Sequence, residues 1–182
     1  MLIAYKGFNP DLTCKGYKFK LDDWNTEEEA NCFKNGLHCA EDPLDCLSYY
    51  RNWDDAVYYQ VIADGDINES GDDTKISCTR MLLTKELSKE EFVIAACDYM
   101  IKNPMMKENG HVKREHASSA EGFFGMKIVR GKHPGASGRK GDIIALLKGE
   151  EDSRKIVRIS MFKIDGVKYK PYTTYHIKEG AK

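Results

Sequence analysis

Six cysteines and five histidines are the residues best suited to metal or nucleophilic chemistry. A zinc site draws two ligands from one turn, as C-x-x-C does, because one tight loop then fixes half of a tetrahedron. Cys14, Cys32, Cys39, Cys46, Cys78 and Cys97 contain no such pair. Cys32, His38, Cys39 and Cys46 are close in sequence, but His38 and Cys39 are neighbours and point to opposite faces of a strand. No metal site is expected, and the thiols are read as reduced, small, buried hydrophobes. A nucleophile needs a base that a third group orients. Nothing of that kind marks a serine or cysteine beside His38, His111, His116, His133 or His176. No catalytic residue and no cofactor are assigned from these residues.

Two charged stretches could bind without catalysing. The first is acidic: Asp54 and Asp55, then Asp64, Asp66, Glu69, Asp72 and Asp73 among Gly65, Ser70 and Gly71. An EF-hand needs glycine at the sixth position of its loop, and counting from Asp64 that position is Glu69. The expectation is a solvated or partner-facing acidic patch, with Trp53 either an anchor or packed under a helix. The second stretch, Arg130 to Gly141, is basic and rich in glycine. It lacks the Gly-Lys-Ser/Thr of a Walker loop. As a hairpin tip, its Arg130, Lys132, Arg139 and Lys140 could touch nucleic-acid phosphates.

The net charge of −1 averages two opposed parts. Residues 1–73 hold 16 Asp and Glu against 6 Lys and Arg, net −10, and residues 74–182 hold 13 against 22, net +9. Asymmetry of this size points to a charged partner. With 41% hydrophobic and 31% charged residues the chain is expected to fold. Its 182 residues suit a single domain, 1–182. No apolar run approaches the roughly 20 residues of a membrane span, and the opening MLIAYKGF meets Lys6 and Gly7 too early for a signal peptide. A cytosolic protein is expected.

The elements that must position these residues read as an α+β fold with a mixed, mostly antiparallel sheet and two main helices. Leu2 to Phe8, Tyr17 to Leu21, Val57 to Ala63 and Lys75 to Leu83 have strand patterns. Thr26 to Glu29 has capping-box spacing and predicts a short helical turn. Asp42-Pro43 predicts the start of a helix carrying Leu44, Leu47 and Tyr50 on one face, and Ser88 to Glu91 predicts another that ends at Asn103-Pro104. Residues 105–121 read as an irregular excursion. Phe123 to Val129 and Asp142 to Leu147 are expected as strands around the basic loop. Lys155 to Lys170 reads as a hairpin turning at Asp165-Gly166, and Thr173 to Ile177 as a closing strand.

Two resemblances rest on particular segments. Tyr5-Lys6-Gly7, Gly36 to Glu41 and Ser48-Tyr49-Tyr50 resemble the order of elements that builds the NAD cleft of ADP-ribosyltransferases. Lys6 stands where those enzymes usually carry arginine or histidine, and His38 where many carry tyrosine. No catalytic glutamate begins the late strand near Arg154-Lys155. This resemblance implies either an NAD-dependent modifier of a host protein or a related fold whose cleft has lost activity. Tyr5 to Phe8, Asn35 to Asp45 and Ile164 to Pro171 together resemble an uncharacterised domain of phages and mobile elements. More narrowly, the length and opening segment resemble Cas9-inhibiting anti-CRISPR proteins of Firmicutes phages. That likeness implies stoichiometric binding to Cas9 or its guide-RNA complex: Cas9 keeps its heteroduplex in a positively charged channel, and acidic groups can compete there.

Overall fold

The computed structural model describes residues 1–178 apart from Phe33, Ser70, Asp72 and 151–154. The chain divides into two compact units, Met1–Phe92 and Val93–Lys182. The fold is α+β with mostly antiparallel pairing, distributed over two five-stranded sheets and a two-stranded ribbon.

Unit 1 is built on four strands that close on themselves. β1 (Leu2–Phe8) pairs with β5 (Leu37–Ala40) and with β6 (Val57–Glu69); both β5 and β6 pair with β7 (Lys75–Glu86). β4 (Asn25–Thr26) adds to the outside of β7, and β2 (Thr13–Cys14) pairs with β3 (Tyr17–Lys18) as a separate ribbon. Lys15 and Gly16, at φ 48° and 84°, make the ribbon's tight turn, the pair of left-handed residues that a two-residue hairpin favours. Alternating residues of the closed strands meet inside: Ala4 and Phe8, Leu37 and Cys39, Tyr59, Val61 and Ala63, Ile76 and Cys78. β6 outruns its expected end at Asp64-Gly65. Gly65, at φ 74°, sits in a register shift between Asp64 and Ile67, so the pair bends the strand without ending it.

The capped helices form, and the isolated capping signal does not. Asp42 Oδ1 accepts the Leu44 N–H at 2.9 Å and starts a 3-10 helix, Pro43–Ser48, that buries Leu44 and Leu47 and stops before Tyr50. Ser88 and Glu91 complete their capping box, with Ser88 N–H to Glu91 Oε2 at 2.9 Å and Glu91 N–H to Ser88 Oγ at 3.2 Å, and α1 spans Lys89–Lys102. Thr26 to Glu29 forms no turn of helix: Thr26 pairs with Arg80, and the Glu27 N–H donates to Thr79 O, so strand pairing has already used the backbone groups a helix would need.

In unit 2, β9 (Met126–Ala136) pairs parallel with β8 (Val112–Ala117) and with β10 (Ile143–Gly149); β11 (Ile156–Lys163) and β12 (Tyr175–His176) add antiparallel. β8 arises inside the expected excursion. The basic loop is no hairpin tip, because its first seven residues continue β9 and the strands on either side of it run parallel. Nor do residues 167–170 return as a strand. β11 pairs with β10, while Gly166 N–H closes a turn onto Tyr169 O whose ring stacks on Phe162 at 4.3 Å.

Phe92 is fully buried, 5.2 Å from the Trp53 ring and 5.0 Å from Tyr58. Truncating it to alanine is expected to cost about 3–5 kcal/mol, and Ser88→Ala about 1 kcal/mol through the lost cap. Urea unfolding of the two variants, with unchanged slope, checks the ranking.

Candidate functional site

Unit 1 carries a cleft of about 800 Å³. Its wall is assembled from β1, the β2–β3 ribbon, β5, the 3-10 helix and the start of β7. Of the three segments with transferase-like order, Tyr5 to Gly7, Gly36 to Glu41 and Ser48 to Tyr50, all residues but Glu41 and Ser48 line it. Two close approaches hold them together. A Cβ on Gly7 would lie 2.6 Å from the Tyr50 ring, so only glycine lets the aromatic approach β1 this closely. Gly36, at φ 88°, turns the chain into β5, and a Cβ there would meet Ser77 Oγ.

The chemistry of the cleft is set by Lys6. Strand alternation places it on the same side of β1 as Ala4 and Phe8, and only 6% of it is exposed. Its Nζ lies 5.2 Å from the centroids of both Phe8 and Phe19 and donates to Cys14 Sγ at 3.5 Å. Among the described residues no carboxylate is within ion-pair distance of it. An ammonium withdrawn from water costs several kcal/mol unless charge or dipoles compensate, and two ring faces and a thiol are modest compensation. Lys75, also buried, donates to Tyr49 Oη at 3.0 Å and sits 5.1 Å from that ring, while Tyr49 itself is 56% exposed at the mouth.

The neighbouring groups register this environment. His38 is half-buried, and burial, followed by the charges of Lys6 and Lys75, pushes its pKa below the ordinary 6.5. Cys46 is pushed up to about 12 by burial, and Tyr50 is raised by burial and by its hydrogen bond with Cys14. Asp45, one of the carboxylates on the wall, accepts from both Thr74 N–H and Oγ1, at 3.1 and 2.7 Å. Asp42, behind the wall, is raised to about 7 because it is buried, against the pull of the Leu44 N–H and with help from Asp45.

The acidic residues do not share one environment. Asp64 is 3.2 Å from Arg80 and 3.5 Å from the N-terminal ammonium, Asp54 is 3.9 Å from Lys89, and Asp55 accepts from Asn52. Asp73 accepts the Lys75 N–H at 3.0 Å within its own turn; Asp66 and Glu69 are exposed on β6, and Asp72 lies outside the described residues. Trp53 stacks on Tyr58 at 4.4 Å. In the basic stretch Arg130 is no phosphate contact: it is buried, donates to Pro104 O at 3.3 Å and faces Glu108 at 3.8 Å. Lys132, Arg139 and Lys140 are exposed. No group of three metal-ligating side chains occurs among the described residues, and the cysteines are all free. No described helix is long and apolar enough to cross a membrane.

Sequence reasoning found the cleft's segments through a resemblance but assigned no function to Lys75, Phe19 or Cys14. Lys6 carried a readable signal of its own, a lysine in register with Ala4 and Phe8 on an alternating strand. Among known families, the model of a domain of unknown function, DUF7666, matches residues 2–95, just over half of the chain. The match coincides closely with unit 1, so the segment Ile164 to Pro171 falls outside it. No curated protein and no solved structure matches.

Two titrations follow. His38 is expected to titrate below its ordinary value in an NMR pH series and to move upward in Lys6→Met, which removes one of the depressing charges. Asp42 is ordinary near 3.8 when unfolded and about 7 when folded, so the folded state keeps a proton that the unfolded chain releases. Stability therefore falls as pH rises between those values, with the full penalty above pH 7. Asp42→Asn keeps an acceptor for the Leu44 N–H without the charge, and is expected to unfold at higher urea than the wild type at pH 8 but not at pH 3.5.

Proposed function

We propose, for a chain that belongs to the DUF7666 family of unknown function, that unit 1 is a binding module whose cleft takes an anionic ligand bearing a flat ring, of the nucleotide class, and that it acts by occupancy instead of by making or breaking bonds. The observation that carries this reading is Lys6: a buried cation facing a cleft, with no carboxylate beside it among the described residues. A ligand phosphate would supply the missing counter-charge, and charge-assisted hydrogen bonds of this kind are among the stronger polar contacts. Tyr49 at the mouth offers a face for a base. The likeness to ADP-ribosyltransferases agrees with a nucleotide. The departures at Lys6 and His38 favour a relative that binds without transferring.

Calorimetric titration with NAD and ADP-ribose tests this reading. Binding of at least one is expected, weakened at least about tenfold in Lys6→Met, or ~1.4 kcal/mol, with NAD recovered intact after long incubation. Unchanged affinity in the variant, or nicotinamide release, would overturn it.

A second reading is favoured by how charge divides between the units. Unit 1 holds 19 Asp and Glu against 10 Lys and Arg, net −9, and unit 2 holds 10 against 18, net +8. Opposite charges thus belong to separate compact bodies, as suits a stoichiometric Cas9 inhibitor that presents the acidic unit to the nuclease's cationic channel and the basic unit to guide RNA or DNA. Inhibition of purified Cas9 cleavage is expected to saturate near equimolar inhibitor and to weaken with salt. Inhibition at a small fraction of the Cas9 concentration, accompanied by a mass change on Cas9, would point to chemistry instead.

A further inference from the structure

The amine that gives the cleft its charge also lies against a sulfur. Cys14 Sγ accepts from Lys6 Nζ at 3.5 Å and is hydrogen-bonded to the Tyr50 hydroxyl. Cys14, Cys39 and Cys46 line the cleft, and of these Cys14 is partly exposed while Cys39 and Cys46 are buried; Cys32, partly exposed, does not line it, and Cys78 and Cys97 are buried. Neither partner can swing away easily. Cys14 precedes the two left-handed residues of the ribbon turn and pairs with Tyr17, and the Lys6 ammonium lies beside the Phe8–Phe19 ring pair, 5.2 Å from each centroid. We propose that Lys6 and Cys14 are the site of a reversible covalent bridge, formed when a peroxide of hydrogen peroxide size enters the cleft.

The thiolate sulfur attacks one peroxide oxygen, the O–O bond breaks, and the hydroxide that leaves takes a proton from the Lys6 ammonium, giving water and a neutral amine; sulfur loses two electrons and peroxide gains them, giving a sulfenic acid. The neutral amine of Lys6 then attacks that sulfur. An S–N bond forms, the S–O bond breaks, and the departing hydroxide takes a proton from nitrogen, with the Tyr50 hydroxyl placed to donate toward it. One thiol, one amine and one hydrogen peroxide thus give one sulfenamide and two waters. A dithiol reverses the link by attacking sulfur, which restores the amine and leaves an oxidised dithiol. Because the bridged nitrogen no longer carries a positive charge, the oxidised protein is also expected to lose affinity for the anionic ligand; this consequence alone rests on the reading of the cleft given above.

The experiment is peroxide treatment of the whole protein, cleavage on the N-terminal side of Asp11, and mass mapping. Cleavage there puts Lys6 and Cys14 on different peptides. The expected result is that these two peptides are recovered joined, lighter than their sum by two hydrogens, and are separated by dithiothreitol. Mapping is needed because a disulfide between the neighbouring Cys39 and Cys78 would change the intact mass equally. Cys14→Ser and Lys6→Met are expected to abolish the joined product. Recovery of Cys14 as a sulfinic acid or as a dimedone adduct, with the Lys6 amine still open to acylation in the wild type, would overturn the proposal, as would an unoxidised Cys14. A joined product in a protein that binds neither NAD nor ADP-ribose would leave the bridge standing and remove only the ligand reading.

Discussion

A strand of period two must send every second side chain to the same face, and on β1 one of those side chains is a lysine. Ala4 and Phe8 join the apolar interior of the closed four-stranded sheet, and Lys6 lies between them in register. The interior cannot hold a full charge cheaply, so the fold has to end its apolar packing around this side chain and leave a way out. The cleft is that way out. Phe8 and Phe19 turn ring faces to the ammonium, the β2–β3 ribbon supplies Cys14, and the chain after the 3-10 helix lays Tyr50 against Gly7. The depressed His38 and the raised Tyr50 and Cys46 all report burial, and the charge of Lys6 adds to the shift at His38 and opposes it at Cys46.

Charge asymmetry in the sequence turns out to be a division between bodies. Counted by unit, the acidic excess lies in Met1–Phe92 and the basic excess in Val93–Lys182. Within unit 1, however, the cleft lining carries three lysines, Lys6, Lys15 and Lys75, against two carboxylates, Glu27 and Asp45. Asp64 and Asp54 each have cationic neighbours elsewhere, and Asp73 holds its own turn, so local acids are spent on structure while Lys6 and Lys75 stay at the site. A net negative surface around a lysine-bearing hollow favours small anions that can enter over large polyanions at the surface. On the reading proposed above, such a hollow suits a nucleotide-sized ligand better than a nucleic-acid strand.

What could be read beforehand follows from how local each signal is. The caps at Asp42 and Ser88 and the start of the strand at Val57 depend on residues a few positions apart and form as read, although the helix after Asp42 stops at Ser48 and the strand runs on to Glu69. The turn at Thr26 failed because β7, more than 50 residues away, claims that backbone through Arg80. Gly65 and the glycines of 130–141 look like turns in isolation; in the fold one is a register shift and others lie within β9, because long strands tolerate glycine where they bend or pack closely. Arg130 has the composition of a phosphate contact and the address of a core residue, a difference made by Glu108 and Pro104 O, on a stretch that had no strand or helix signal at all.

The cleft shows the same divide most sharply. Its segments come from three separate parts of the chain, so no spacing rule links them, and only the likeness to a known arrangement put them side by side. Its central residue, by contrast, needed no likeness: a lysine in the inward register of an apolar strand is costly wherever that strand ends up. The two proposals for unit 1 each name something that could reach a 6%-exposed ammonium through a cleft of about 800 Å³: a small anion, which would neutralise the charge by contact, or a small oxidant, which through Cys14 would remove it by a bond. These are two outcomes at one nitrogen, and because each consumes the same amine, the second excludes the first.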